Sequence, residues 1–155
     1  MFAKLKQVVV LLGVLALASC SSGKVDFIDD RGRAISWADY HGEWLVINYW
    51  AEWCAPCREE IPELNALHKA DNDISVLGVN YDAPAIDDLK RQIKDFAVAF
   101  PVIQADPEQQ LAYLTPEALP TTYLFNPQGE LAHKLIGPQT GESIEALTKG
   151  GKEGL

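Results

Sequence analysis

Cys54 and Cys57 stand in Trp53-Cys54-Ala55-Pro56-Cys57, with two residues between the thiols. Thiols at that spacing can close a small disulfide ring or supply two ligands to a metal ion. Before the pair runs Leu45-Val46-Ile47-Asn48-Tyr49-Trp50, apolar and rich in β-branched and aromatic residues, which reads as a buried strand. After it runs Arg58 to His68, with Ile61, Leu64, Leu67 and His68 at helical spacing. Cys54 is therefore expected where a strand hands over to a helix N-terminus. Unpaired backbone N–H groups and the helix dipole favour a thiolate there.

The metal alternative is thin. A structural zinc site needs four ligands, and only two closely spaced sulfurs are present. His41, His68 and His133 are scattered, and His68 lies on the apolar side of its helix, as a core or boundary histidine does. Copper is the version to keep, because sulfur is a soft ligand for Cu(I). No third ligand for it stands out in the sequence.

The elements that position the pair can be read in order. A turn-forming cluster, Asp29-Asp30-Arg31-Gly32, splits residues 25–36 into a β-hairpin. Ser36 to Gly42 reads as one helical turn, capped by Ser36 and stopped by Gly42. A strand at 44–50, the cysteine pair, a helix to about Ala70 and a strand at 74–80 make a βαβ unit. Pro62 should bend that helix. An amphipathic helix over 86–100 follows, then a short extended piece at 100–103 and a short helix at 108–114. Strands at 121–125 and 131–136 flank the turn Asn126-Pro127-Gln128-Gly129, and a helix over 143–149 closes the domain. This order predicts an α/β fold: a mixed central sheet with helices on both faces, an N-terminal β-hairpin and a helical insertion.

Residues 1–19 stand apart from this domain. Lys4 and Lys6 precede an apolar run, Val8 to Ala18, too short for a comfortable membrane span and of the length of a signal-peptide core. The ending Leu17-Ala18-Ser19-Cys20 resembles the bacterial lipobox. That resemblance implies cleavage before Cys20, a diacylglyceryl group on its sulfur and an acylated new N-terminus. An ordinary cleaved signal with a chance cysteine is the alternative. Residues 20–24 are then a lipidated cysteine and a short tether, 25–149 the folded domain and 150–155 a frayed tail. Ser21, in place of Asp, favours the outer membrane by resemblance to enterobacterial sorting.

The 155 residues suffice for one compact domain. The formal net charge is −9, and losing Lys4 and Lys6 with the signal makes it more acidic. An acidic domain without a Lys/Arg run argues against nucleic acid as a partner, and against electrostatic docking to anionic lipid.

A C-x-x-C beside a βαβ pattern reads as a thioredoxin-like redox motif. Residues 47–57, Ile-Asn-Tyr-Trp-Ala-Glu-Trp-Cys-Ala-Pro-Cys, closely resemble the thioredoxin active-site strand and turn. Leu119-Pro120-Thr121-Thr122-Tyr123 resembles the cis-proline segment that faces it. The insertion at 84–104, the lipoprotein start and Glu60 resemble the TlpA/ResA branch of membrane-tethered thiol–disulfide oxidoreductases. The resemblance covers most of residues 25–149. It implies a Cys54–Cys57 disulfide that cycles with the dithiol, Cys54 as the attacking thiol, Cys57 as the resolving one, and no cofactor beyond this pair. It further implies Pro120 as a catalytic cis proline set against the sulfurs, and a docking surface from Trp53, Pro56, Leu119 and Thr121. A peroxidase reading fails for lack of a separate peroxidatic cysteine, since Cys54 already has Cys57 as its partner.

Glu60 lies three residues after Cys57, on the same helix face. The resemblance makes it the carboxylate that tunes the cysteines; a solvated glutamate compensating the helix dipole is the competing reading. Asn48 departs from thioredoxin, which carries a buried acid there, and Asn cannot act as a general base. Glu52, Glu59 and Glu60 crowd the motif with negative charge offset only by Arg58, which disfavours a thiolate and leans the couple toward reduction.

Two function classes follow. One is an extracytoplasmic, membrane-anchored enzyme in the bacterial cell envelope, a monomer reducing protein disulfides. By family resemblance its substrates include apocytochrome c, and a membrane electron donor of the DsbD/CcdA type re-reduces it. The other is a copper-binding or docking module on the same fold; within the enzyme class, an oxidant or isomerase is the variant to exclude.

Overall fold

The computed structural model describes residues 25–70, 73–104 and 114–150. Two short strands, β1 (Phe27–Ile28) and β2 (Ala34–Ile35), pair antiparallel as the expected hairpin. A 3-10 turn follows at Trp37–Tyr40, where Ser36 and Asp39 form a reciprocal capping box. Gly42 ends it with φ 96°, a conformation that favours glycine. The Asp-Asp-Arg-Gly turn is more than a surface loop: Asp29 and Asp30 are both buried. Asp29 accepts the Arg33 guanidinium at 2.6 Å, and Asp30 accepts the Val102 N–H at 2.9 Å, which holds the hairpin to the sheet.

The central sheet has five strands in the order β5-β4-β3-β6-β7. β3 (Trp44–Trp50) lies in the middle, parallel to β4 (Ile74–Asn80) and antiparallel to β6 (Thr121–Phe125). β5 (Val102–Ile103) extends one edge in parallel with β4, and β7 (Leu131–Ile136) extends the other, antiparallel to β6. All seven residues of β3 are buried, which is why its run is apolar at every position but Asn48 rather than alternating.

Alternation along the strands builds two cores. Trp44, Val46 and Trp50, with Val76, Val102 and Leu124, meet all three α-helices: α1 (Ala55–Lys69) through Cys57, Ile61 and Leu64, α2 (Ile86–Asp95) through Leu89, and α3 (Gly141–Gly150) through Ile144. Leu45, Ile47, Tyr49, Leu77, Val79 and Tyr123 point the other way, onto Phe27, Ile35 and Leu114, with Trp37 and Tyr40 packed alongside. Among the described residues the second face is thus covered by the hairpin and the 3-10 turn. Burying each large apolar side chain contributes roughly 1.5–3 kcal/mol.

Pro62 lies inside α1 on its exposed side, and the helix runs to Lys69, close to the Ala70 read from the sequence. One expectation changes. The helix predicted over 86–100 stops at Asp95, because Ala97 takes a left-handed φ of 53° and Phe96, Val98 and Phe100 turn into the core. The signal, Cys20, the tether and residues 151–155 lie outside the described residues, as does most of the helix expected at 108–114. Among the described residues no helix is long and apolar enough to cross a membrane.

Candidate active site

β3 ends at Trp50, and α1 begins at Ala55 with Cys54 as its N-cap and Pro56 in its first turn. Cys54 and Cys57 form a disulfide with an S–S distance of 2.00 Å and a Cα–Cα distance of 5.3 Å. The Cys54 sulfur accepts the Cys57 N–H at 3.2 Å, the role an oxygen plays in an ordinary N-cap. The same N–H will stabilise a Cys54 thiolate once the bond is reduced. Cys57 is fully buried and Cys54 is 4 % exposed, so only Cys54 has an edge toward solvent.

The Leu119–Pro120 peptide is cis. Pro120 immediately precedes β6, whose Thr121 sits opposite Tyr49 at the end of β3 that leads to the cysteines. Leu119 packs against the core cluster that contains Cys54 and Cys57. The two sequence motifs therefore share one end of the sheet. The Pro120 carbonyl accepts the Gly137 N–H at 2.9 Å, which ties this segment to the loop after β7.

Glu60 is 1 % exposed, so the reading of a solvated first-turn glutamate is overturned. It extends the buried stripe of α1 formed by Cys57, Ile61, Leu64 and Leu67. Its carboxylate is met from three directions. Asn48 of β3 donates its Nδ2 to Oε2 at 3.2 Å. Thr122 of β6 donates its hydroxyl to Oε1 at 3.2 Å, and the Gln139 backbone N–H reaches the same oxygen at 3.2 Å. Burial disfavours the anion more than these donors favour it, and the Glu60 carboxyl is pushed up to about 7. A carboxyl there exchanges protons near neutral pH, as an acid–base group must.

The charge around the motif also differs from expectation. Glu52 is not an uncompensated charge: Arg91 of α2 grips it with two contacts, at 2.7 and 3.3 Å. That pairing holds the Glu52 carboxyl below its ordinary range. Arg58 adds to that lowering of Glu52, as expected, while its guanidinium lies over the Phe96 ring at 3.8 Å and donates to the Asp95 carbonyl at 3.1 Å. Trp53 is 66 % exposed beside Cys54, with its indole N–H on Asp82 Oδ2 at 2.9 Å and its ring edge-on to Tyr81.

The AhpC/TSA family pattern matches residues 20–134. The chain belongs to the AhpC/TSA family. Thiol-disulfide oxidoreductase ResA of Geobacillus kaustophilus is 31% identical over 124 residues, covering 77% of this chain and 71% of the relative. ResA of Bacillus subtilis is 30% identical over 118 residues, covering 75% and 65%. The crystal structure of StoA from Bacillus subtilis superposes with a TM-score of 0.63 at 26% identity, over 80% of this chain and 93% of that one. Within AhpC/TSA the chain therefore belongs with the ResA-type thiol–disulfide oxidoreductases, on a thioredoxin-like fold.

Several residues of this AhpC/TSA site escaped the sequence. Thr122 was visible only as part of the proline segment, and Gln139 acts through its backbone, which no side-chain pattern reveals. Arg91 and Gln92 come from the inserted region, and Asn80 and Asp82 from the end of β4 and the loop after it: Asn80 donates to Gln92 at 2.8 Å and accepts the Asp82 N–H at 3.0 Å, so α2 fixes the loop that holds Trp53. Glu60 itself had a signal, since Cys57, Glu60, Ile61 and Leu64 fall on one helical stripe. His68 is half-buried, edge-on to Phe100, and burial lowers its pKa. Among the described residues no group of three or more His, Cys, Asp or Glu could hold a metal.

Proposed function

We propose that this chain is a lipid-anchored, extracytoplasmic reductase of protein disulfides. The observation that carries the reading is the Cys54–Cys57 disulfide at the N-terminus of α1, with its more exposed sulfur beside Trp53 and its inner sulfur one turn before the buried Glu60. In the reduced form the Cys54 thiolate attacks one sulfur of a partner disulfide. A mixed disulfide forms, and the first partner sulfur leaves as a thiolate. Cys57 gives its proton to the Glu60 carboxylate and attacks the Cys54 sulfur. The second partner sulfur leaves with the remaining electron pair, and the Cys54–Cys57 disulfide returns. The partner gains two electrons and two protons, and a membrane dithiol donor of the DsbD/CcdA type restores the pair.

Trp53, Pro56 and Leu119 form the docking surface; Thr121, expected there from the sequence, is fully buried with its hydroxyl on the Ala118 carbonyl and drops out of it. Pro120 lacks an N–H and leaves the neighbouring backbone free to pair with an extended substrate segment. Cys20 carries the lipid, residues 1–19 are removed, and the short tether keeps the domain close to its membrane, the outer one by the Ser21 argument. Apocytochrome c cysteines are the substrate class that the ResA likeness points to.

Insulin reduction by the chain tests the activity, and Cys57→Ser tests the route. That variant should accumulate mixed disulfides through Cys54, while Cys54→Ser should accumulate none. Equilibration with glutathione or dithiothreitol should place the couple nearer about −270 mV than about −120 mV. A value at the oxidant end, or no trapped partner, refutes the reductase reading.

A further inference from the structure

Asn48 is fully buried on the α1 side of β3, between Val46 and Trp50, where a polar side chain is unfavourable unless its atoms are paired. Only half of it is paired. Nδ2 donates to Glu60 Oε2 at 3.2 Å and to Thr122 Oγ1 at 3.0 Å, whereas Oδ1 is buried with no partner.

This arrangement suits one state of Glu60. Every group bonded to the carboxyl is a donor: the Asn48 amide, the Thr122 hydroxyl and the Gln139 N–H. From α1, Cys57 lies one turn before it, and no charged side chain contributes to its titration. A protonated Glu60 has an O–H of its own and needs an acceptor. The Gln139 N–H cannot accept, and the Thr122 oxygen already accepts Asn48 Nδ2 while its proton goes to Oε1. The unused acceptor is Asn48 Oδ1. The two ends of a carboxamide are nearly the same size, so a half-turn about the last side-chain bond exchanges Nδ2 for Oδ1 without repacking. After that turn Oδ1 accepts the Oε2–H proton.

We propose that Asn48 is a positioning residue that turns its amide to serve both protonation states of Glu60, donating to the carboxylate and accepting from the carboxylic acid. Glu60 can then take up and release a proton while keeping a partner in each state. An ionised Asp at position 48 offers only the accepting half of this exchange, and a Leu or Val offers neither.

The inference rests on Glu60 acting as the acid–base group of the proposed reaction, and the two fail separately. If Glu60→Gln leaves the pH–rate profile of disulfide reduction unchanged, the role of Glu60 fails. The amide turn is read by NMR on the whole chain, isotope-labelled and held oxidised so that no thiol titrates. Above the Glu60 midpoint of about 7, the Asn48 amide protons should show a strong Overhauser contact to the Thr122 methyl; below it the contact should weaken several-fold, with the same midpoint as the Glu60 carboxyl carbon. In Glu60→Gln the contact should stay weak at every pH. Thr122→Val, which removes a donor from the carboxylate, should raise both midpoints together by roughly one to two pH units. A contact that is independent of pH while Glu60 titrates, or midpoints that part company in Thr122→Val, overturns the proposal.

Discussion

Glu60 and Gln139 meet across 79 positions of sequence, the Gln139 backbone N–H lying 3.2 Å from Glu60 Oε1. The contact joins the helix that carries the cysteines to the loop that leads into the last helix. It also places a titrating carboxyl where pH acts on the fold as well as on the chemistry.

The stability of the chain should therefore fall as pH rises toward neutrality. Glu60 has a folded value of about 7 against 4.5 in the open chain, so the folded state holds a proton that the unfolded state has released. The stabilisation is full below pH 4.5 and is lost as pH rises through about 7, for a difference of about 3 kcal/mol. Urea unfolding at pH 5 and pH 8 should show this slope in the native chain and a flatter one in Glu60→Gln. Equal slopes in the two would refute it.

Arg91 should influence the attacking thiol without touching it. Arg91→Gln leaves the Glu52 carboxylate, two residues before Cys54, without its guanidinium. A freed negative charge raises a nearby thiol pKa. The Arg91–Glu52 pair is exposed, so the rise should stay below about one pH unit. The pH dependence of Cys54 alkylation by iodoacetamide in the reduced chain measures it; a fall would contradict the assignment.

Asp82→Leu should impair protein substrates selectively. The variant removes the acceptor that fixes the Trp53 indole at 2.9 Å. KM for insulin should rise roughly three- to tenfold, while the rate with a small disulfide stays near its native value. Asp82→Asn keeps an acceptor oxygen and should restore most of the loss. Equal losses on both substrates would point to damage at the cysteines instead.

Gly78→Ala should destabilise the chain by roughly 1–3 kcal/mol. A Cβ there would sit 2.9 Å from a Phe100 ring carbon and 3.2 Å from both the Trp50 indole nitrogen and a Val102 methyl. All three belong to the α1-side core, which has no slack to take a methyl group. Chemical denaturation measures the loss, and native stability in the variant would show that Phe100 can move.

How much was legible depends on whether the determinant is local. β3 and β4 fall at 44–50 and 74–80 as read, because strands buried on both faces write themselves as mainly apolar runs without the alternation of a half-exposed strand. The end of α2 did not, since Phe96 and Phe100 continue the apolar pattern while leaving the helix to fill the core. The cysteine pair and Pro120 were visible as motifs. The environment of Glu60 was not, because it is assembled from Asn48, Thr122 and the backbone of Gln139, which meet only in the folded sheet. Charge misled for the same reason: Glu52 looked unopposed until α2 brought Arg91 to it.

The loop after β7 bonds at both of its ends, Gly137 to the Pro120 carbonyl and Gln139 to Glu60. A ligand strand pressing on the proline segment and a proton arriving at the carboxyl thus pull on one short tether. By thermodynamic reciprocity, whatever preference the loop gives the bound strand for one protonation state, it returns as an equal change in proton affinity when the strand binds. Proton uptake measured on docking a peptide would report that coupling as a single number.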